Sequence, residues 1–91
     1  MFYVVAYDMP DTKRRTKLFK AMKGFGRHTQ FSVFECELNQ KGVERMVKKI
    51  ASLIEPAEDN IKIYPLCKSC LDDVQLVGIA RLIRKPETLI V

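Results

Sequence analysis

The apolar stretch Phe2-Tyr3-Val4-Val5-Ala6-Tyr7 ends on a lone carboxylate, Asp8, and the cationic run Lys13-Arg14-Arg15 follows shortly after Met9-Pro10. A buried strand thus hands one acid to a solvent-facing rim beside positive charge. Magnesium takes hard oxygen ligands and keeps several waters, so one or two carboxylates hold it when phosphate supplies the rest. A metal so held activates water and neutralises charge on a phosphoryl oxygen. One carboxylate per chain is a weak ligand set, and two from chains related by a twofold axis make a better one. Asp8 also reads as an ordinary turn aspartate that orders Met9-Pro10.

Arginine forks onto phosphate, which makes Arg14 and Arg15 the better contact candidates in the basic cluster. At about 100° per residue, Lys13, Lys17 and Lys20 lie opposite the apolar Leu18 and Met22. Of the 16 Lys and Arg residues, those at 13, 14, 15, 17, 20, 23 and 27 crowd into one stretch. The alternative is a solvated helix face with no partner. His28 is the only histidine and could serve as a general base, or simply be polar surface. Ser32 has no histidine–aspartate pair in sight, so serine hydrolase chemistry is unsupported. Cys67-x-x-Cys70 is half of a four-ligand zinc site whose other half is missing, and it also reads as a redox pair or as incidental packing. Phe31, Phe34 and Tyr64 could stack on bases, yet the glycine–aromatic signature of an RNA-recognition sheet is absent, and Phe34 reads as core.

The elements that must position these groups follow from periodicity. Residues 2–8 are apolar without alternation, as in a central strand covered on both faces. Asp11 or Thr12 caps a helix over about 12–24, with Leu18, Met22 and Phe25 at helical spacing and Gly24 and Gly26 as the stop. Residues 27–38 return to a strand pattern. Phe34, Cys36 and Leu38 face one way there, and Val33, Glu35 and Glu37 the other. The run is long enough to hold a bend, a bulge or two short strands. Asn39 caps a second helix with the stripe Val43, Met46, Val47, Ile50, Ala51 and Ile54, closed by Pro56. Ile61-Lys62-Ile63-Tyr64 alternates as a half-buried strand that Pro65 bends or ends. Cys67 to Cys70 fall in a short loop. Residues 74–78 suggest another strand, and the tail after Pro86 ends Leu89-Ile90-Val91.

Helices on one face of an antiparallel sheet give an α+β sandwich. The expected fold is ferredoxin-like, βαββαβ. It occupies residues 1–78, with 79–91 as an extension whose terminal strand docks on the partner of a homodimer. The length of 91 residues allows one small domain with thin stability, which oligomerisation remedies. A net charge of +5 suits a polyanion without requiring one. No run approaches the ~20 apolar residues of a membrane helix. The N-terminal apolar stretch is too short for a secretory leader and lacks a basic lead-in. With an odd number of cysteines, a reduced cytoplasmic chain is the expectation.

Several segments together resemble the second core CRISPR-associated protein, the Cas-two family. They are Tyr3-Val4-Val5-Ala6-Tyr7-Asp8, Lys13-Arg14-Arg15-x-Lys17-Leu18, the Gly24-to-Gly26 turn, Gln30-x-Ser32-Val33-Phe34-Glu35, Ile63-Tyr64-Pro65-Leu66-Cys67 and Val77-Gly78. The resemblance implies a homodimer whose two Asp8 side chains face each other and share one Mg2+. It implies magnesium-dependent endonuclease activity on single-stranded RNA or double-stranded DNA. It also implies a place in spacer acquisition, the dimer bridging two dimers of the Cas-one integrase. A scaffold that does not cut and a VapD-like toxin ribonuclease are the alternatives. Carried onto this chain, Asp8 is the catalytic and metal residue. Arg14, Arg15, Lys17, Arg27 and His28 form the nucleic-acid contacts, and Tyr7, Ser32 and Phe34 support the site. Many relatives place arginine where this chain has His28, and Arg27 points to the opposite face of its strand.

Overall fold

Strand β1 (Phe2–Asp8) runs through the middle of a four-stranded antiparallel sheet. The computed structural model describes residues 1–78 together with the backbone of Leu89–Ile90. The order along the chain is β1, α1 (Thr12–Met22), β2 (Arg27–Gln30), β3 (Val33–Glu37), α2 (Gln40–Leu53) and β4 (Asn60–Leu66). A short helix α3 (Lys68–Asp72) and strands β5 (Leu76–Val77) and β6 (Leu89–Ile90) follow. The sheet order β2-β3-β1-β4 makes this the ferredoxin-like α+β sandwich expected.

One face of the sheet is covered by α1 and α2. Val5, Tyr7, Phe34 and Cys36 meet Leu18, Met22, Met46 and Ile50 there in one buried cluster. Apolar burial at roughly 25 cal/mol per Å2 is the main force holding helices to sheet. Both long helices start as expected. Asp11 Oδ2 accepts from Arg14 N at 2.8 Å, and Asn39 Oδ1 from Gly42 N at 2.8 Å. These caps satisfy amides that the first turn leaves unpaired. α1 ends at Met22, two residues before the expected boundary, and the chain turns through Gly24 and Gly26. A Cβ on Gly26 would collide with Glu35 O and Cys36 Sγ, so only glycine lets this turn lie against β3.

The long strand pattern over 27–38 is two strands, with an irregularity between His28 and Gln30. Pro65 neither bends nor ends β4, which continues to Leu66 with Pro65 opposite Tyr3. β4 is the sheet edge, and an edge strand accommodates a residue without an N–H. The expected loop at Cys67–Cys70 is instead the start of α3, with Cys67 as its N-cap residue. In the expected C-terminal extension, residues 79–88 and 91 lie outside the described residues. Leu89–Ile90 pair in parallel with Leu76–Val77 of the same chain.

By strand alternation, Phe2, Val4, Ala6 and Asp8 point to the other face of the sheet. Phe2 is 2% exposed there, and Leu71 and Leu76 are also buried outside the main cluster. Nearer Asp8 the face is only half covered, with Val4, Ala6 and Val33 partly accessible and Tyr64 exposed.

Candidate nucleic-acid interface and metal site

Asp8, the last residue of β1, stands exposed where the strand leaves the sheet, opposite Asn60, the first residue of β4. Among the described residues its side chain makes no hydrogen bond or ion pair. The next residue, Met9, is only 3% exposed and anchors the turn in the core. Arg15 holds that turn from α1. Its Nη1 donates to Met9 O at 2.8 Å and its Nη2 to Thr12 Oγ1 at 3.3 Å. A guanidinium has five N–H donors, so most of Arg15's donors stay available. No carboxylate pairs with Arg15 among the described residues.

Tyr7 is buried beside this turn, and burial pushes its phenol pKa up, while the charge of Arg15 pulls the other way. The phenol therefore stays protonated at neutral pH. Tyr7 N donates to Ser32 O at 3.0 Å, which ties the end of β1 to the β2–β3 tip. Phe34 is fully buried below, its ring 6.3 Å from that of Tyr7 and 5.5 Å from that of Phe19. It packs the floor of the site and presents no face to a ligand.

The expected cations divide into those that reach the rim and those that do not. Lys17 is exposed on the outer side of α1, with no ion pair among the described residues. Arg14 is committed elsewhere. It donates to Asp59 from Nε at 2.8 Å and from Nη2 at 3.1 Å, and to Glu58 at 3.1 Å. Arg27 shares the face of Asp8, but its register puts it opposite Glu35, which in turn lies opposite Val4. Four residues along and two strands across separate it from Asp8 by about 17 Å. His28 lies on the helix-covered face instead. Its ring meets Phe19 at 5.0 Å and Phe34 at 5.2 Å, and its Nε2 is hydrogen-bonded to Phe31 O. A carbonyl only accepts, so Nε2 carries the proton. His28 supports the hairpin tip and is not positioned as a base for Asp8.

The end of β1, the start of α1 and the β2–β3 tip enclose a cleft of about 300 Å3, lined by Tyr7, Arg15, Thr16, Phe19, Phe31 and Ser32. Thr16 and Phe19 were not singled out as site residues from sequence, and Phe31 was raised only as one of three aromatics that could stack on a base. For Phe19 the signal was its place one helical turn, four residues, after Arg15; Thr16, adjacent to Arg15, carried no such signal.

Among the described residues, no three His, Cys, Asp or Glu side chains gather as a metal cluster. A lone, solvent-facing carboxylate fits magnesium, which keeps its waters and takes phosphate oxygens, better than zinc, which wants four protein or water ligands in a closed shell. Cys67 and Cys70 are free and exposed, and Cys36 is buried. The Ser69 hydroxyl, 3.2 Å from Cys67 Sγ, lowers the Cys67 thiol pKa to about 7.

A ferredoxin-like sheet whose first strand delivers a bare aspartate to a basic rim defines a narrow class of small α+β proteins. The sequence model described as "CRISPR associated protein Cas2" matches residues 1–74. The chain belongs to this Cas2 family. It is 36% identical over 89 residues to a Synechocystis protein described as CRISPR-associated endoribonuclease Cas2 3, covering 98% of this chain and 97% of that one. The crystal structure of Streptococcus pyogenes Cas2 superposes with a TM-score of 0.74 at 27% identity, over 86% of this chain and 100% of that one. A chain in a partial Cas6-RT-Cas1–Cas2 complex gives a TM-score of 0.69 at 28% identity, over 80% of each chain. Among the described residues, no helix is long and apolar enough to cross a membrane.

Proposed function

We propose that this chain acts as a homodimer in CRISPR spacer acquisition, binding nucleic acid and hydrolysing phosphodiester bonds of single-stranded RNA or double-stranded DNA with magnesium. The observation that carries this reading is the pair Asp8 and Arg15. Among the described residues, an acid whose side chain has no partner adjoins a turn held by an arginine that no acid neutralises. The endoribonuclease description of the Synechocystis relative and the Cas1–Cas2 assembly of the structural neighbour support it. On this reading Cas1 is the partner.

The half-covered sheet face supports the dimer. Val4, Ala6, Val33 and Tyr64 form an apolar strip leading to Asp8. Two such strips facing each other across a twofold axis bring the two Asp8 carboxylates to one rim. These carboxylates hold the ion, which when bound supplies Lewis acidity to a phosphoryl oxygen and a water of lowered pKa. Arg15, already fixed on the Met9 carbonyl, orients the phosphate with its free donors. Lys17 draws the strand in by its charge. Tyr7, kept protonated by burial, adds a donor without adding charge.

The test is cleavage of labelled RNA and DNA by wild type and Asp8→Asn, with binding and dimerisation measured on the same samples. Asp8→Asn cuts at least about 100-fold more slowly, because several kcal/mol of charge stabilisation leave with the metal. It still binds and dimerises. Undiminished cutting would exclude Asp8 as the metal residue. Wild-type binding without any cutting would leave the bridging role alone, which the single carboxylate per chain also suits.

A further inference from the structure

The most accessible large apolar side chain among the described residues is Phe31, 96% exposed at the tip between β2 and β3. Leaving an aromatic ring in water forgoes the gain of burial, and a tip position is usually polar or glycine. The tip is also held rigidly. Phe31 O accepts from His28, the His28 ring packs on Phe19 and Phe34, and Ser32 O accepts from Tyr7 N. An exposed aromatic on a fixed support is preorganised for a flat ligand.

Of the three aromatics that could stack on a base, the fold removes Phe34, which is fully buried, and puts Tyr64 on the opposite face. Phe31 borders the cleft of about 300 Å3, which falls at the lower end of small-ligand sites. Its walls are Phe19, Tyr7 and the Arg15 side chain, and the Thr16 and Ser32 hydroxyls supply hydrogen-bonding groups for a base edge. Guanidinium and aromatic faces together suit a nucleobase with its phosphate.

We propose that this cleft takes one unpaired nucleobase, stacked on Phe31, while Arg15 holds the adjoining phosphate. The inference rests on the nucleic-acid reading above and names the substrate feature that the site reads: a splayed base in a single strand. Tyr7 and Asp8 are neighbours on one strand and point to opposite faces. A chain crossing this rim therefore lodges a base on the Phe31 side and passes its backbone over Asp8.

The protein contains no tryptophan, so F31W places a single indole at the tip. We expect Phe31→Ala to weaken binding of a single-stranded RNA oligonucleotide about 5- to 100-fold, and F31W to retain it. The F31W indole is quenched on saturation, and an abasic site at the contacted nucleotide weakens binding to wild type but not to Phe31→Ala. Unchanged affinity of Phe31→Ala with an unquenched indole overturns the proposal. Loss of self-association in Phe31→Ala at unchanged RNA affinity also overturns it, by making the tip a protein contact. Wild type that binds no nucleic acid would instead defeat the functional reading itself, and this inference with it.

Discussion

Arg14 and Asp59 form a forked pair. Nε reaches Oδ2 at 2.8 Å and Nη2 reaches Oδ1 at 3.1 Å, over a carboxylate whose side chain is wholly covered. Asp59 Oδ2 also accepts from Glu55 N at 2.8 Å. The pair fastens the first turn of α1 to the turn between α2 and β4. It also separates two adjacent arginines by role, since Arg14 is spent on architecture and Arg15 is left facing the rim.

The pH dependence of stability follows from that pair. The hydrogen bonds from Arg14, and then the one from Glu55 N, hold the Asp59 carboxyl below its ordinary value, against the opposing effect of burial. Its folded pKa is below the unfolded value of about 3.9. The stabilisation is therefore fully present above about pH 4 and is lost as pH falls through the folded pKa. Urea unfolding of wild type and Asp59→Asn checks this. The midpoints differ at pH 7, with wild type higher, and converge toward pH 2.

The two arginines differ in what they do for binding. Arg15→Gln lowers affinity for duplex DNA and reduces the slope of log K against log salt by about one, as removal of one phosphate contact does. Arg14→Gln leaves the slope unchanged and lowers the unfolding midpoint instead. Salt titrations of both variants by fluorescence anisotropy check the contrast.

Cysteine reactivity follows the surroundings of each thiol. Cys67 has its pKa lowered to about 7 by the Ser69 hydroxyl, while burial pushes Cys36 up to about 11. The thiolate is the nucleophile, so alkylation of Cys67 by iodoacetamide rises with pH to a midpoint near 7, and Cys36 stays unmodified in the folded protein. Ser69→Ala moves the Cys67 midpoint upward, toward the unperturbed value of about 8.5. Mass spectrometry over a pH series reads all three.

Much of this arrangement was legible in the residues, because periodicity is local. The unalternating run to Tyr7 announced a central strand, and the spacing of Leu18 and Met22 announced α1. Asp11 and Asn39 are short side chains that can reach back to the first-turn amides, so their caps could be seen as well. The rest depended on neighbours distant in sequence. The sequence could not tell Arg14 from Arg15, because the partner that claims Arg14 lies 45 residues away. Pro65 reads as a strand end until β4 is known to be an edge. His28 looked like a candidate base, and became a support for the tip once β2 paired with β3. Phe31 and Phe34 are three positions apart and chemically identical, yet one is 96% exposed and the other is 0% exposed. Phe31 falls in the turn between β2 and β3, whereas Phe34 lies on β3 opposite Val5 and faces the core.

The central claim is that Asp8 from two chains holds one divalent ion. Titration of the protein with Mn2+, following free ion by electron paramagnetic resonance, tests it without reference to cleavage. We expect one ion bound per two chains in wild type, displaced by Mg2+, and none in a folded, dimeric Asp8→Asn variant. Equal binding by wild type and Asp8→Asn would contradict the claim.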